Sequence, residues 1–295
     1  MILITGVTGT TGRATLQALL PMGVPLRVLV RPTSSFAAPP GVEVAHGDLA
    51  NAAALAHALR GVDRAFLVSP SSPLQVELEA AFIAAAARAG LHHLVRISAL
   101  GVDQPGCAER RLQAPHQALE RLVRASGLSW TLLRPSPFMQ NLLLHAPTIA
   151  AQGMFYSPLS LAARVAHVDA ADIGAVAARA LTEADYAGRV YTLTGPTALS
   201  EDDVATALTA VLGRPIRHVQ IPLEALGAAL HQHGMPAWNV EGALELMRAY
   251  EGGLASGVTS DIPRLLGRPA HSVTDFARAH QQAWEGMHAP MSASR

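Results

Sequence analysis

Residues 1–20 read MILITGVTGTTGRATLQALL, where Gly6, Gly9 and Gly12 lie three residues apart between an apolar run and a helical pattern. In a strand–loop–helix unit the first glycine permits a tight turn, the second lets a pyrophosphate approach the backbone, and the third lets helix and strand pack closely. The unpaired N–H groups at the start of the helix can then bind the phosphate. The stretch therefore predicts a dinucleotide-binding loop. Three hydroxyl donors in the loop come from Thr8, Thr10 and Thr11.

Short apolar runs alternate with helical patterns through the first half of the chain. The apolar runs are ILIT, LRVLV, RAFLV, HLVRIS and WTLLRP, and the helical patterns cover 11–20, 51–59, 75–89 and 114–126. Such alternation indicates parallel strands joined by right-handed helical crossovers. We therefore predict an α/β fold, a Rossmann-like doubly wound parallel sheet with a smaller, mainly helical C-terminal substrate-binding region.

The regular alternation ends near Pro135, and this change sets the predicted domain boundaries. Beyond it, VAHVDAADIGAVAARAL predicts a strand end followed by a helix, GRVYTLTG predicts a strand, and the chain after Ser200, a good N-cap, is mainly helical. We expect three parts. They are a Rossmann core at 1–135 completed by about 164–195, a substrate-binding or lid region at 136–163 and 196–285, and a disordered tail at 286–295.

Composition excludes several classes of function. Acidic and basic residues balance at 22 each, which argues against nucleic-acid binding. No apolar run reaches the roughly 18 residues that a membrane span needs. The single Cys107 cannot form an internal disulfide, and the first strand begins at Ile2, so we expect a cytoplasmic protein. We expect it to act as a monomer or homodimer on a small molecule.

The chain contains no lysine, because all 22 basic residues are arginine. Any mechanism that needs a lysine ammonium is thereby excluded. The 13 histidines invite a metal hypothesis, but the pairs at 92–93 and 231–233 lack companions at ligand spacing, so we expect no metal. Cys107 lies in a loop without a clear base, and nucleophilic catalysis is therefore not favoured.

The residues after the second predicted strand choose between the two nicotinamide cofactors. An Asp or Glu there would bind the ribose 2′-hydroxyl of NADH, whereas this chain has VLVRPTSS. Arg31 could pair bidentately with a 2′-phosphate, and Ser34 and Ser35 could donate to it, with Arg13 adding a second charge. The alternative is that Arg31 is a solvated loop arginine. We predict NADP(H).

Several further motifs resemble one family. They are GDL at 47–49, HLVRISALG at 93–101, RPSPFMQN at 134–141, VDAADIG at 168–174 and LLGRPAHSVTDFA near the C-terminus. Together with the glycine loop they resemble the NmrA-like branch of the atypical short-chain dehydrogenases, over nearly the whole chain. The resemblance implies that Asp48 and Leu49 border the adenine, that Ser69 and Pro70 lie beside the cofactor, and that Pro135 lies near the nicotinamide. The alternative for Asp48 is a turn or cap residue.

The resemblance leaves the catalytic group open. Other short-chain dehydrogenases use a Tyr-x-x-x-Lys pair and a serine. Here Ser98 fills the serine position, but the helix that should carry the pair reads QAPHQALERLVRASG, with His116 and Glu120 one turn apart. His116 is interpreted as a proton donor or substrate hydrogen-bond donor, since imidazole titrates near neutral pH, or else as a packed helix residue. Ser98 either donates to a substrate carbonyl or satisfies the backbone.

The resemblance also implies a substrate class. Phe138, Met139 and Asn141 are expected as pocket walls, although Phe138 and Met139 could equally be core. We predict an NADPH-dependent reductase that transfers hydride to a quinone, a conjugated ketone or a related aromatic acceptor. Two alternatives stay open, a regulatory protein that senses NADP(H) without turnover and an isomerase or dehydratase that retains its cofactor.

Overall fold

The computed structural model describes residues 1–285, which form nine strands and twelve α-helices. The strands are β1 (Ile2–Ile4), β2 (Leu26–Val30), β3 (Val42–His46), β4 (Arg64–Leu67), β5 (His93–Ile97), β6 (Ser129–Pro135), β7 (Met154–Ser157), β8 (Arg189–Leu193) and β9 (Arg217–Gln220). The helices are α1 (Thr10–Leu19), α2 (Ala52–Ala58), α3 (Gln75–Arg88), α4 (Ala114–Ala125), α5 (Ala146–Gln152), α6 (Ala170–Thr182), α7 (Glu201–Leu212), α8 (Leu223–Gln232), α9 (Ala237–Glu251), α10 (Asp261–Leu266), α11 (Val273–Ala279) and α12 (Gln281–Glu285).

Seven strands form one parallel sheet in the order β3-β2-β1-β4-β5-β6-β8, and β7 pairs with β9 separately. The chain runs outward from β1 in one direction as far as β3 and then returns to add β4 on the other side. At this switch point the carboxyl ends of β1 and β4 leave a crevice, the usual ligand position in open α/β sheets. The predicted doubly wound sheet is confirmed.

Helices cover both faces of the sheet, so the central strands are buried on both sides. Successive residues of a strand point to opposite faces. Accordingly Ile4 packs in the core beneath α1 and α6, whereas Leu3 packs in the core beneath α2, α3 and α4. In the first core α6 lies very close to α1. A Cβ on Gly174 would lie 2.5 Å from the Ala14 carbonyl oxygen, so this approach requires glycine.

A third core joins the C-terminal helices to the small β7–β9 sheet. Phe155 of β7, Leu208 of α7, Phe276 of α11 and Trp284 are all buried in it. Ser200 caps α7 as predicted and forms a reciprocal capping box with Asp203.

Three strands of the structure were not predicted from the sequence. The run VEVAH was not recognised as β3, and β7 and β9 interrupt a region that was expected to be mainly helical. The division into a core and a substrate-binding region stays a prediction. The expected tail at 286–295 lies outside the described residues.

Two further observations concern residues 1–285 alone. None of their helices combines the length and the apolar character needed to cross a membrane. No group of three or more histidine, cysteine, aspartate or glutamate side chains is arranged there to hold a metal ion.

Candidate active site

The glycine loop connects β1 to α1 and begins with a left-handed turn. Gly6 has φ +63°, a conformation that L side chains rarely adopt. The turn is closed by the Gly9 amide, which donates to the Gly6 carbonyl at 2.9 Å. Thr5, just before the turn, links β1 to the end of β4, since its hydroxyl donates to the Val68 carbonyl at 2.8 Å and accepts from the Val68 amide at 2.9 Å.

The loop is shaped to receive a phosphate group. A Cβ on Gly12 would overlap the Gly6 carbonyl and would lie 2.8 Å from the Thr5 oxygen, so only glycine lets α1 start this close to β1. Gly9 is the N-cap of α1 and provides no side-chain cap. The amides of the first helical turn are therefore left for a ligand. These residues fit the pyrophosphate of a dinucleotide. Thr11 is buried, whereas Thr8 and Thr10 are exposed at the loop surface.

The end of β2 presents Arg31 to solvent, as a phosphate-binding arginine requires. Ser34, three residues on, accepts from the Phe36 amide at 3.2 Å and keeps its hydroxyl proton free to donate. Asp48 lies beyond β3, where its carboxylate accepts from the Ala50 amide at 2.9 Å, and Leu49 beside it is half-buried. Asp48 thus has the turn role that was its alternative, which leaves its predicted adenine contact untested.

Replacing Arg31 by aspartate is expected to reduce the preference for NADPH over NADH at least about tenfold. The reason is that charge-assisted hydrogen bonds to a 2′-phosphate contribute about 1.5–3 kcal/mol each. The two dissociation constants, measured by fluorescence titration, give the preference. Arg88→Asp, at an exposed position at the end of α3, is the matched control. An unchanged preference in Arg31→Asp would show that Arg31 is only a solvated loop residue.

A cleft of about 440 Å³ extends from the start of α1 across the carboxyl ends of β4, β5 and β6 to α9. It brings together seven of the residues predicted from sequence, Thr11, Ser69, Ser98, His116, Pro135, Phe138 and Asn141. Its other polar lining residues, which the sequence reading did not single out, are Ser71, Gln113, Ser136 and Tyr250. The cleft therefore joins the phosphate loop to the serine and histidine that were predicted to act in catalysis.

Met139 and Pro70 do not line this cleft. Met139 is 1% exposed and packs with Leu142 and Phe155 in the C-terminal core, so the prediction that it forms a pocket wall needs correction. The sequence could not decide this, because an apolar residue in a proline-rich loop suits either environment. Pro70 is exposed after β4.

Ser98 is 2% exposed and its hydroxyl donates to Glu120 at 2.6 Å. Arg134 holds both oxygens of the same carboxylate, with its Nε and Nη2 each at 2.8 Å. Burial opposes the ionised form of Glu120, but the hydrogen bonds from Arg134 and Ser98 outweigh it and hold the pKa of this carboxyl below its usual value. The single hydroxyl proton of Ser98 is thus directed to Glu120. A direct role for Ser98 as a donor to substrate stays a prediction and requires this bond to break.

We expect the ionisation of Glu120 to make the free energy of unfolding decrease at acid pH. Because its native pKa is lowered, its stabilisation is fully present above the ordinary glutamate pKa of about 4.3 and is lost as pH falls through the native value. Urea unfolding at a series of pH values from 7 down to about 2 should therefore show a smaller acid-induced loss of unfolding free energy in Glu120→Gln than in wild type. Glu77→Gln, at an exposed position on α3, is the control. Identical losses in all three proteins would contradict the assignment.

His116 lines the cleft and its Nδ1 lies 3.1 Å from Nη2 of Arg96. Burial and the positive charge of Arg96 lower the pKa of His116 to about 3, against the weaker opposing charge of Glu120. The imidazole is therefore neutral at physiological pH. This corrects the expectation that His116 titrates near neutrality, since its environment, which the sequence does not display, determines its charge.

Behind His116 lies a buried ion pair that the sequence reading missed. Arg96 of β5 and Glu79 of α3 are joined at 2.6 Å, with side chains 0% and 1% exposed. A signal was present: Arg96 interrupts the apolar run HLVRI, and Glu79 lies on the same helical face as Phe82 and Ile83, which are buried. Two charged residues on apolar faces of adjacent elements indicate a buried pair.

A nucleotide-type glycine loop, an open α/β sheet and a cleft with a neutral histidine define this protein as a Rossmann-fold protein with a candidate catalytic cleft. Comparison with known proteins gives its family. The sequence model of the NmrA-like family matches residues 1–260, and the chain belongs to this family.

Three relatives illustrate the similarity. NAD(P)H azoreductase of Xenophilus azovorans is 40% identical over 288 residues, which cover 96% of this chain and 99% of that protein. A (4-alkanoyl-5-oxo-2,5-dihydrofuran-3-yl)methyl phosphate reductase of Streptomyces griseus is 38% identical, covering 96% and 99%. The crystal structure of an Escherichia coli NADPH-dependent quinone oxidoreductase complexed with NADPH has a TM-score of 0.82 at 26% identity, covering 96% and 100%.

Proposed function

We propose that this protein is an NADPH-dependent reductase that transfers hydride to a quinone, a conjugated ketone or a related aromatic acceptor such as an azo dye. The observation that carries the proposal is the 40% identity to an NAD(P)H azoreductase over nearly the whole of both chains. The quinone oxidoreductase with bound NADPH supports the cofactor and the aromatic class of acceptor. In this chain the cleft that joins the glycine loop to His116 is the proposed location of the hydride transfer.

The chain's own residues bind and orient the reactants. The amides at the start of α1 bind the pyrophosphate, Arg31 and Ser34 bind the 2′-phosphate, and Ser69 and Pro135 border the cofactor. The nicotinamide, when bound, supplies the hydride. Holding the acceptor in contact with it removes much of the orientational cost of the reaction.

His116 stabilises the charge that develops on the acceptor. Its Nδ1 faces the guanidinium of Arg96, which leaves Nε2–H as the ring donor for an acceptor oxygen or nitrogen. A neutral imidazole would have to become an anion in order to give up this proton. His116 therefore acts as a hydrogen-bond donor to the developing anion, and water completes the protonation. Acceptors that delocalise negative charge, such as quinones, suit this arrangement.

Apolar and aromatic side chains line the substrate end of the cleft. Phe138 and Asn141 come from the segment after β6, and Leu246 and Tyr250 come from α9. Flat acceptors fit such walls, which carry no charged side chain. We assign substrate contact to Phe138 and Asn141 and extend it to Tyr250.

Steady-state oxidation of NADPH with a panel of quinones, azo dyes and conjugated ketones tests the proposal. Turnover of at least one acceptor, with NADPH preferred over NADH, is the expected result. Tight cofactor binding without turnover of any acceptor would instead indicate a sensor. Product formation without net loss of NADPH would indicate an isomerase or dehydratase. Either result would overturn the proposal.

We further propose that the protein works in the cytoplasm as a monomer or homodimer. The lone Cys107 is buried, which is consistent with a reducing compartment. Sedimentation equilibrium would establish the oligomeric state.

A further inference from the structure

The buried pair of Glu79 and Arg96 lies directly behind the cleft and contacts it at two points. Glu79 accepts from the hydroxyl of Ser69 at 2.7 Å and from Gln75 at 3.2 Å, while its other oxygen accepts from Nε of Arg96 at 2.6 Å. Nη2 of Arg96 lies 3.1 Å from His116 Nδ1. A continuous hydrogen-bonded chain therefore runs from the loop after β4, through α3 and β5, to the histidine on α4.

The pair is poorly explained as a device for stability alone. Removing two charges from water carries a large desolvation penalty, which their attraction offsets only when the geometry is good and the remaining donors are satisfied. Nη1 of Arg96 is buried and has no hydrogen-bond partner within residues 1–285. Well-packed apolar residues at both positions would stabilise the fold as well or better. A buried guanidinium with an unpaired N–H group at this place is better explained by a role beyond folding.

The contact with His116 supplies such a role. A guanidinium only donates hydrogen bonds and is protonated at all physiological pH values, so His116 Nδ1 must accept and the ring proton must lie on Nε2. We propose that Arg96 is a positioning residue that, held by Glu79, fixes His116 as the Nε2–H tautomer facing the cleft. This inference rests on the proposed function for the use of that N–H, but the tautomer itself can be measured without any substrate.

Charged or titratable groups from five elements lie around His116, and of these Arg96 and Glu120 shift its pKa. They are Glu120 on α4 itself, Arg96 from β5, Glu79 from α3 behind Arg96, Arg134 from β6 bound to Glu120, and Tyr250 from α9 across the cleft. The carboxylates of Glu79 and Glu120 are each paired with an arginine, which leaves Arg96 as the charged group in direct contact with the imidazole. We therefore expect wild-type His116 to remain a neutral Nε2–H donor from pH 5 to pH 8, with a flat kcat/KM profile from this group.

The main test is nitrogen-15 NMR of the histidine side chains, with the His116 signals assigned by their loss in His116→Gln. In wild type, Nδ1 should be unprotonated and Nε2 protonated. Arg96→Gln alone would leave Glu79 as an unpaired buried charge, so the decisive protein is the double variant Glu79→Gln/Arg96→Gln. It should show a mixture of tautomers and a His116 pKa closer to the ordinary value. Arg96→Lys, which keeps a charged donor, should restore most of the Nε2–H tautomer.

The same double variant has a kinetic signature that simple loss of packing does not produce. At pH 8, kcat/KM should fall about tenfold, as is typical when a supporting partner of a functional histidine is removed. Activity should then recover as the pH falls towards 5, because an imidazolium carries protons on both nitrogens whatever its neighbour. The matched control is Glu77→Gln/Arg88→Gln, a charge-neutral pair of changes at exposed positions of α3, which should behave as wild type.

Two results separate this inference from the proposed function. A folded double variant whose His116 keeps the wild-type tautomer and titration would overturn the role of Arg96, whether or not the protein turns over a quinone. The two proposals can also fail separately. If the wild-type protein reduced no acceptor but the double variant lost the fixed His116 tautomer, the role of Arg96 would be supported and the reductase proposal would be overturned. A failure of the double variant to fold would show that the pair is structural and would also overturn the role.

Discussion

Replacing Gly12 by alanine is expected to abolish measurable NADPH binding and to lower the free energy of unfolding by about 3 kcal/mol. The new Cβ would overlap the Gly6 carbonyl and would approach the Thr5 carbonyl oxygen to 2.8 Å. These are backbone atoms of a strand end and a tight turn, so they cannot rotate away as a side chain could. Either α1 moves away from β1 or the turn opens, and both changes move apart the amides that are proposed to bind phosphate. Calorimetric titration with NADPH and urea unfolding measure the two effects.

Two further glycine variants separate the effect on binding from the effect on folding. Gly9 has an extended backbone, and a Cβ there would meet the Gly6 oxygen at 3.4 Å, an ordinary contact. Gly9→Ala should therefore keep its stability but weaken NADPH binding, because its methyl group occupies the face that the pyrophosphate must approach. Gly257→Ala, where a Cβ meets nothing within 4 Å, is the control. If both Gly9→Ala and Gly12→Ala bound NADPH as tightly as wild type, the assignment of the loop to phosphate binding would be wrong.

Replacing His116 by leucine is expected to lower kcat/KM for a quinone about 100-fold while leaving the dissociation constant of NADPH unchanged. The size of the effect is that of removing one preorganised donor to a developing anion. Leucine fills a similar volume beside Arg96 but donates no hydrogen bond. Stopped-flow reduction of the quinone at saturating NADPH, with a separate cofactor titration, distinguishes loss of chemistry from loss of binding.

The comparison variants for His116 test the donor itself. His116→Gln retains an N–H donor and should recover part of the lost kcat/KM. His92→Leu, at an exposed position ahead of β5, should have wild-type kinetics. If His116→Leu reduced quinones at the wild-type rate, His116 would be a packing residue and another group would stabilise the anion.

The fold was largely predictable because its main signals are local. The glycine loop, the alternation of apolar runs with helices and the cap at Ser200 each depend on residues close together in sequence. The edge strand β3 was missed because only Ala45 of its five residues is buried, which leaves a weak apolar pattern. Strands β7 and β9 have four residues each and are defined by pairing with each other across about 60 positions, information that no local window contains.

The site was predictable only in outline. Ser98, His116 and Pro135, which were singled out by resemblance, line one cleft, because the carboxyl ends of the neighbouring strands β5 and β6 and the start of α4 meet there. Their roles stay predictions. The charge state of His116 depends on Arg96, and the far wall depends on Tyr250, which is separated from His116 by more than 130 residues. Such contacts arise from packing of whole elements, and the residue types alone do not reveal which pairs will meet.

The close approach of Gly174 to Ala14 has a consequence for biosynthesis. Helix α1 carries the amides that are proposed to bind phosphate, but the helix packed against it, α6, ends at residue 182. During translation the N-terminal unit therefore emerges from the ribosome long before its packing partner. About 160 further residues must be synthesised before this face of α1 is covered. The loop at the start of α1 therefore gains its packed support only after α6 has been synthesised.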